Sequence, residues 1–169
     1  GGCSNLQFNV RSGKWLRSWT SLAGTVQNCA GGPTPWGTWL SCEETVIGPK
    51  ESFRDVQYEH EKHHGWVFEV PAEGKASGEP LQALGRFVHE ALAIDPADGT
   101  IYETEDRDTA GFYRFLPNEP EVLTKGGRLQ MIKIKGKADL RTGARHGIRY
   151  EAEWVDIQDP LRRNTPGKE

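Results

Sequence analysis

The chain has 169 residues, 36% of them hydrophobic, with 20 Gly, 10 Pro and a net charge of −3. Scattered Lys and Arg and uniformly short apolar runs exclude a nucleic-acid footprint and a bilayer-spanning helix. A single domain's length, rich in turn formers and moderately apolar, predicts many short strands in place of packed helices.

Taken in order, residues 5–10 and 14–19 flank Arg11-Ser12-Gly13, which predicts a hairpin. Ser21–Gln27 leads into the stretch around which the rest is organised, Asn28 to Thr45. Its middle holds Gly31, Gly32, Pro33, Pro35 and Gly37, so a shaped turn is expected there. Thr38-Trp39-Leu40 then forms a strand-like run ending in Cys42, Glu43 and Glu44. If the turn reverses the chain, one hairpin end gathers Asn28, Cys29, Cys42 and two carboxylates. Residues 46–63 read as an inserted polar loop with one helical turn, and 72–80 as another loop. Further strands are expected near 85–94, 100–105, 111–116, 128–134 and 148–157. No helix longer than two turns is predicted.

The hairpin layout recurs. Asn28-Cys29-Ala30 lies over His89-Glu90-Ala91, Trp36–Trp39 over Asp98–Ile101, and Glu43-Glu44 over Glu105-Asp106. A third strand follows each hairpin, at His64–Pro71 and Ala110–Pro117. The period is about 60 residues, and such a repeat of short strands suggests β-propeller blades. The second unit supplies one blade, and the chain holds about two to three. Residues 1–157 are expected to form this partial propeller and 158–169 an open or frayed tail.

The acids carry the chemical argument. A turn centred on Ala97 sets Glu90 opposite Thr104, with Glu105 and Asp106 next to it. Like charges facing across a strand pair are destabilising unless they splay into water or share a cation. Oxygen ligands suit Ca²⁺ or Mg²⁺, and a thiolate from Cys42 favours a transition metal such as iron. Clustered cations can polarise a phosphoryl group, and Arg107 or Arg86 offers a bidentate fork for its oxygens. Blander readings stand beside these. The acids can be solvated strand ends, Cys29 and Cys42 a disulfide or small core hydrophobes, and the two Arg surface charges. His89 reads as a hydrogen-bonded core residue, His60, His63 and His64 as a solvated loop cluster, and the six Trp mostly as blade-face core.

Several motifs together resemble one family. They are Asn28-Cys-Ala-Gly-Gly-Pro-Thr-Pro-Trp-Gly-Thr-Trp-Leu-Ser-Cys-Glu-Glu-Thr45, Gly65-Trp-Val-Phe-Glu-Val-Pro71, Gly85-Arg-Phe-Val-His-Glu-Ala91, Thr104-Glu-Asp-Arg107 and Gly111-Phe-Tyr-Arg-Phe-Leu-Pro117. Over most of residues 1–135 they are similar to PhoX-type alkaline phosphatases. The resemblance implies a six-bladed propeller that hydrolyses phosphate monoesters, with Fe³⁺ and Ca²⁺ at the channel mouth. It implies Cys42 as the iron-binding cysteine, Glu43 or Glu44, Glu90, Glu105 and Asp106 as metal carboxylates, and Arg107 and Asn28 as phosphate-binding or supporting positions. It also implies export to the periplasm or cell exterior, although no leader opens this chain, and further blades from a longer parent. The alternative is a non-catalytic propeller binding module stabilised by calcium, with a lactonase-type propeller as a lesser option.

Overall fold

The computed structural model describes residues 1–53, 56–57 and 59–163. The last part of the expected tail, 164–169, lies outside these.

The first hairpin forms where its turn chemistry places it and runs longer than predicted. Strands β1 (Gly2–Asn9) and β2 (Lys14–Ala23) pair antiparallel. Asn9 Oδ1 closes the turn by accepting the Arg11 and Ser12 amides, each at 3.0 Å.

Two antiparallel sheets follow. The first joins β3 (Gly32–Pro33), β4 (Thr38–Cys42) and β7 (Val67–Pro71) in the order β3-β4-β7. Between β4 and β7 the loop carries a minimal hairpin, β5 (Ser52–Phe53) and β6 (Val56–Gln57). The expected helical turn is absent from the described part of that loop. The second sheet contains β8 (His89–Ile94), β9 (Ile101–Glu105), β10 (Phe112–Pro117), β11 (Gly127–Ile134) and β12 (Ala152–Asp156), in the order β12-β11-β10-β9-β8. Among the described residues the only helices are two short 3₁₀ turns, Gln82–Leu84 and Leu123–Lys125. None is long and apolar enough to cross a membrane.

The repeat read from the sequence is present in the hydrogen-bond register. Pro33 pairs with Trp39 as Ile94 pairs with Ile101, and Ser41 with Phe68 as Glu103 with Tyr113. Further along, Asn28 bridges Glu43 as His89 pairs with Glu105. In both repeats the register slips by one residue between these pairs. Cys29 and Glu90 sit in the two slips, where a bulge re-aims a side chain. The repeats lie side by side. Gly31 and Ala91 form a parallel bridge, with the Gly31 amide donating to the Glu90 carbonyl at 3.2 Å and the Leu92 amide to the Gly31 carbonyl at 3.4 Å. Parallel innermost strands of successive antiparallel sheets are the arrangement of propeller blades around a channel.

Burial holds the two sheets together. Leu40, Val67, Phe87, Ile101, Tyr113 and Phe115 belong to one cluster between them, each no more than 2% exposed. A smaller cluster of Leu22, Trp66, Phe68 and Val70 lies under the first hairpin. Trp66 is the one buried Trp, while Trp15 and Trp39 are 67% and 43% exposed. Trp36 packs half-buried against the larger cluster, so fewer Trp are fully core than expected, and Trp15 and Trp39 lie on open faces.

Candidate metal centre

Chain reversal at Gly31–Gly37 brings Asn28 and Glu43 into register, and the Cys29 amide donates to the Cys42 carbonyl at 2.8 Å. Beyond this point the side chains part. Cys42 turns into the core between the sheets and is wholly buried, and burial pushes its thiol far above the ordinary range. Glu43 also turns inward. Cys29 and Glu44 are half-buried, beside Glu90.

Cys29 Sγ, a Glu44 oxygen and a Glu90 oxygen all lie within 4.8 Å of one another. Cys29 Sγ donates to Glu90 Oε1 at 3.3 Å. Burial raises the Cys29 pKa, and the bond to Glu90 raises it further. Glu44 is raised by partial burial and then by a carboxyl–carboxyl hydrogen bond with Asp106. The exposed acid that completes the group is therefore Asp106. These four residues occupy two pairs of equivalent positions, Cys29 with Glu90 and Glu44 with Asp106. The backbone agrees, since the Glu44 amide donates to Gln27 O at 2.9 Å and the Asp106 amide to Val88 O at 3.1 Å.

The remaining candidates stand behind this group. Glu105 is 6% exposed and accepts the Gly111 amide at 3.0 Å and the Tyr113 hydroxyl at 3.3 Å, with Arg107 Nε 3.4 Å from its other oxygen. Its pKa is raised by burial, against the pull of those donors. Asn28 is held on both ends, its Oδ1 accepting from Thr25 Oγ1 at 2.5 Å and its Nδ2 donating to Ser41 Oγ at 2.9 Å. Arg86 is buried and donates to the carbonyls of His64 and Val46, so it braces backbone and is no free fork. His89 is a core residue, as expected. It is wholly buried and stacked on Phe87, with Nε2 3.1 Å from Gly85 O and Nδ1 3.2 Å from Glu103. Of the loop histidines, His64 is bonded to Glu43 and is no solvated residue. All three thiols are free, so Cys29 and Cys42 form no disulfide.

The donor set fits a cation. Three carboxylates and a thiol crowd one end of the two repeats, and like charges so close repel one another unless a positive ion joins them. One sulfur among hard oxygens suits a transition metal, and the flanking carboxylates suit calcium. Cys29 is the thiol in this group. The signal was in the repeat, which sets Cys29 over Glu90.

Comparison with known proteins bears on the family. No curated protein matches the chain. Among solved structures, Pseudomonas fluorescens PhoX in complex with vanadate, a transition state analogue, matches with a TM-score of 0.58 and 24% identity. The match covers 81% of this chain and 30% of that one, so this chain spans less than a third of that relative's length. The family model for alkaline phosphatase PhoX matches residues 4–169. With the repeat, the paired sheets and nearly the whole chain inside that match, the chain belongs to the PhoX family.

Proposed function

We propose that this segment carries part of the active centre of a phosphoric monoester hydrolase that uses Fe³⁺ and Ca²⁺ and works outside the cytoplasm. The observation that carries the reading is the convergence of Cys29, Glu44 and Glu90 within 4.8 Å. Cys29 and Glu44 would hold iron, and Glu90 and Asp106 would complete its shell or hold calcium beside it. Bound cations of this kind supply Lewis acidity toward a phosphoryl oxygen. The chain's own residues fix the frame. Arg107, next to Asp106 and drawn toward Glu105, would be the cation that meets phosphate oxygens. Asn28, clamped by Thr25 and Ser41, fixes the backbone that presents Cys29. A purely structural calcium site has no use for a thiol, which sets the calcium-stabilised binding module behind this reading.

The test is elemental analysis of the full-length protein together with hydrolysis of a chromogenic phosphate monoester. Iron and calcium should accompany activity. Cys29→Ser should remove iron and lower activity by at least 10²-fold, whereas Cys42→Ser should retain iron. A Cys29→Ser protein with full iron content and full activity would sink the assignment.

A further inference from the structure

We infer that in each repeat the first acid of the pair is a positioning residue and the second a cation ligand: Glu43 and Glu105 lock the frame that aims Glu44 and Asp106. This rests on the metal-centre reading above.

Glu43 is buried, and the next residue, Glu44, reaches the half-buried group with Cys29 and Glu90. Glu43 is 0% exposed, and a carboxylate in such a place needs its oxygens satisfied. Its Oε1 accepts the Val26 amide at 2.9 Å and lies 2.7 Å from His64 Nδ1. Its Oε2 accepts the Gly65 amide at 2.8 Å and the Trp66 amide at 3.1 Å. Four donors fill the four acceptor positions of a carboxylate, leaving none for a cation. The main chain of the same residue extends the bracket. The Glu43 amide donates to Trp66 O at 3.0 Å, and its carbonyl accepts the His89 amide at 3.1 Å. One residue thus ties the segment before Cys29, the start of β7 and the residue before Glu90.

The second repeat shows the same device. The repeat register sets Gly111 over Trp66, and the Gly111 amide bonds Glu105 as the Trp66 amide bonds Glu43. Glu105 adds the Tyr113 hydroxyl. Twice, then, a buried acid captures the equivalent amide one residue before an acid at the mouth.

The experiment uses the full-length protein, stripped of metal and titrated with Co²⁺ alone. The readouts are the thiolate-to-cobalt absorption band, the dissociation constant and the thermal midpoint without metal. Glu43→Gln turns an NH₂ group toward backbone N–H donors. It should weaken Co²⁺ binding about 10–100-fold, the usual cost of losing an outer-shell partner, and displace the band. His64→Ala removes one of the four donors and should weaken binding by about tenfold; it decides the matter if Glu43→Gln does not fold. A lowered thermal midpoint with wild-type affinity and band would overturn the positioning role. If wild-type protein itself shows no thiolate band, the metal-centre reading fails, and this inference with it.

Discussion

The two cysteines of the central hairpin have opposite fates, although their main chains are hydrogen-bonded to each other. Cys42 is sealed in the core, and burial keeps its thiol protonated, while Cys29 faces Glu44 and Glu90. Reactivity follows thiolate fraction and access. Iodoacetamide at pH 8 should therefore leave Cys42 unlabelled until the protein is denatured, and mass spectrometry of tryptic peptides will show which thiol is modified. Cys29 should react slowly in stripped protein and be protected when metal is restored. A second residue-scale prediction concerns Glu103, wholly buried beside His89. Burial pushes its carboxyl up, and His89 opposes that shift. Taking away His89 leaves the acid without its partner and removes the ring stacked on Phe87. His89→Ala should cost about 3 kcal/mol or more in urea unfolding.

At the scale of elements, the decisive feature is a slip in the innermost strand of each repeat. Gly31 adopts φ +70°, and a Cβ there would lie 1.8 Å from the Leu40 carbonyl oxygen. Gly31→Ala must open the strand pair that presents Cys29. It should cost about 2–4 kcal/mol and lower metal affinity, read by thermal unfolding and by metal titration. The slips also explain what was legible in the sequence. Period-2 patterning, turn residues and internal similarity placed β8 to β12 to within a few residues and aligned the two hairpins, while the third strands, read with Gly65 over Gly111, pair one residue away from that alignment. Glu44, Glu90 and Asp106 were visible from that alignment. The inward turn of Cys42, Glu43 and Glu105 was not. Which of two adjacent residues faces the core depends on a one-residue register slip, and nothing local to Cys42-Glu43-Glu44 records it. Glu43 reads as a surface acid by type. Its place is fixed by Val26, His64, Gly65 and Trp66, all brought to it by tertiary pairing.

For the molecule as a whole, the open faces set the behaviour. Trp39, Phe112 and Val155 are 43%, 40% and 41% exposed, on sheets whose faces a propeller would cover with neighbouring blades. Expressed alone, these 169 residues should self-associate in light scattering, bind metal more weakly than the full-length protein and show no hydrolysis of a phosphate monoester. Measurable turnover by the isolated segment would contradict this. The parallel bridge between Gly31 and Ala91 carries one more consequence. The donors on either side of it, Cys29 and Glu90, come from different repeats, so a shared ion is a rivet across the seam between them. Stripping the ion should accelerate deuterium uptake at the Gly31 and Leu92 amides, which hold that seam, and leave the β10–β11 amides nearly unchanged. Metal supply would then set how firmly these two blades are joined.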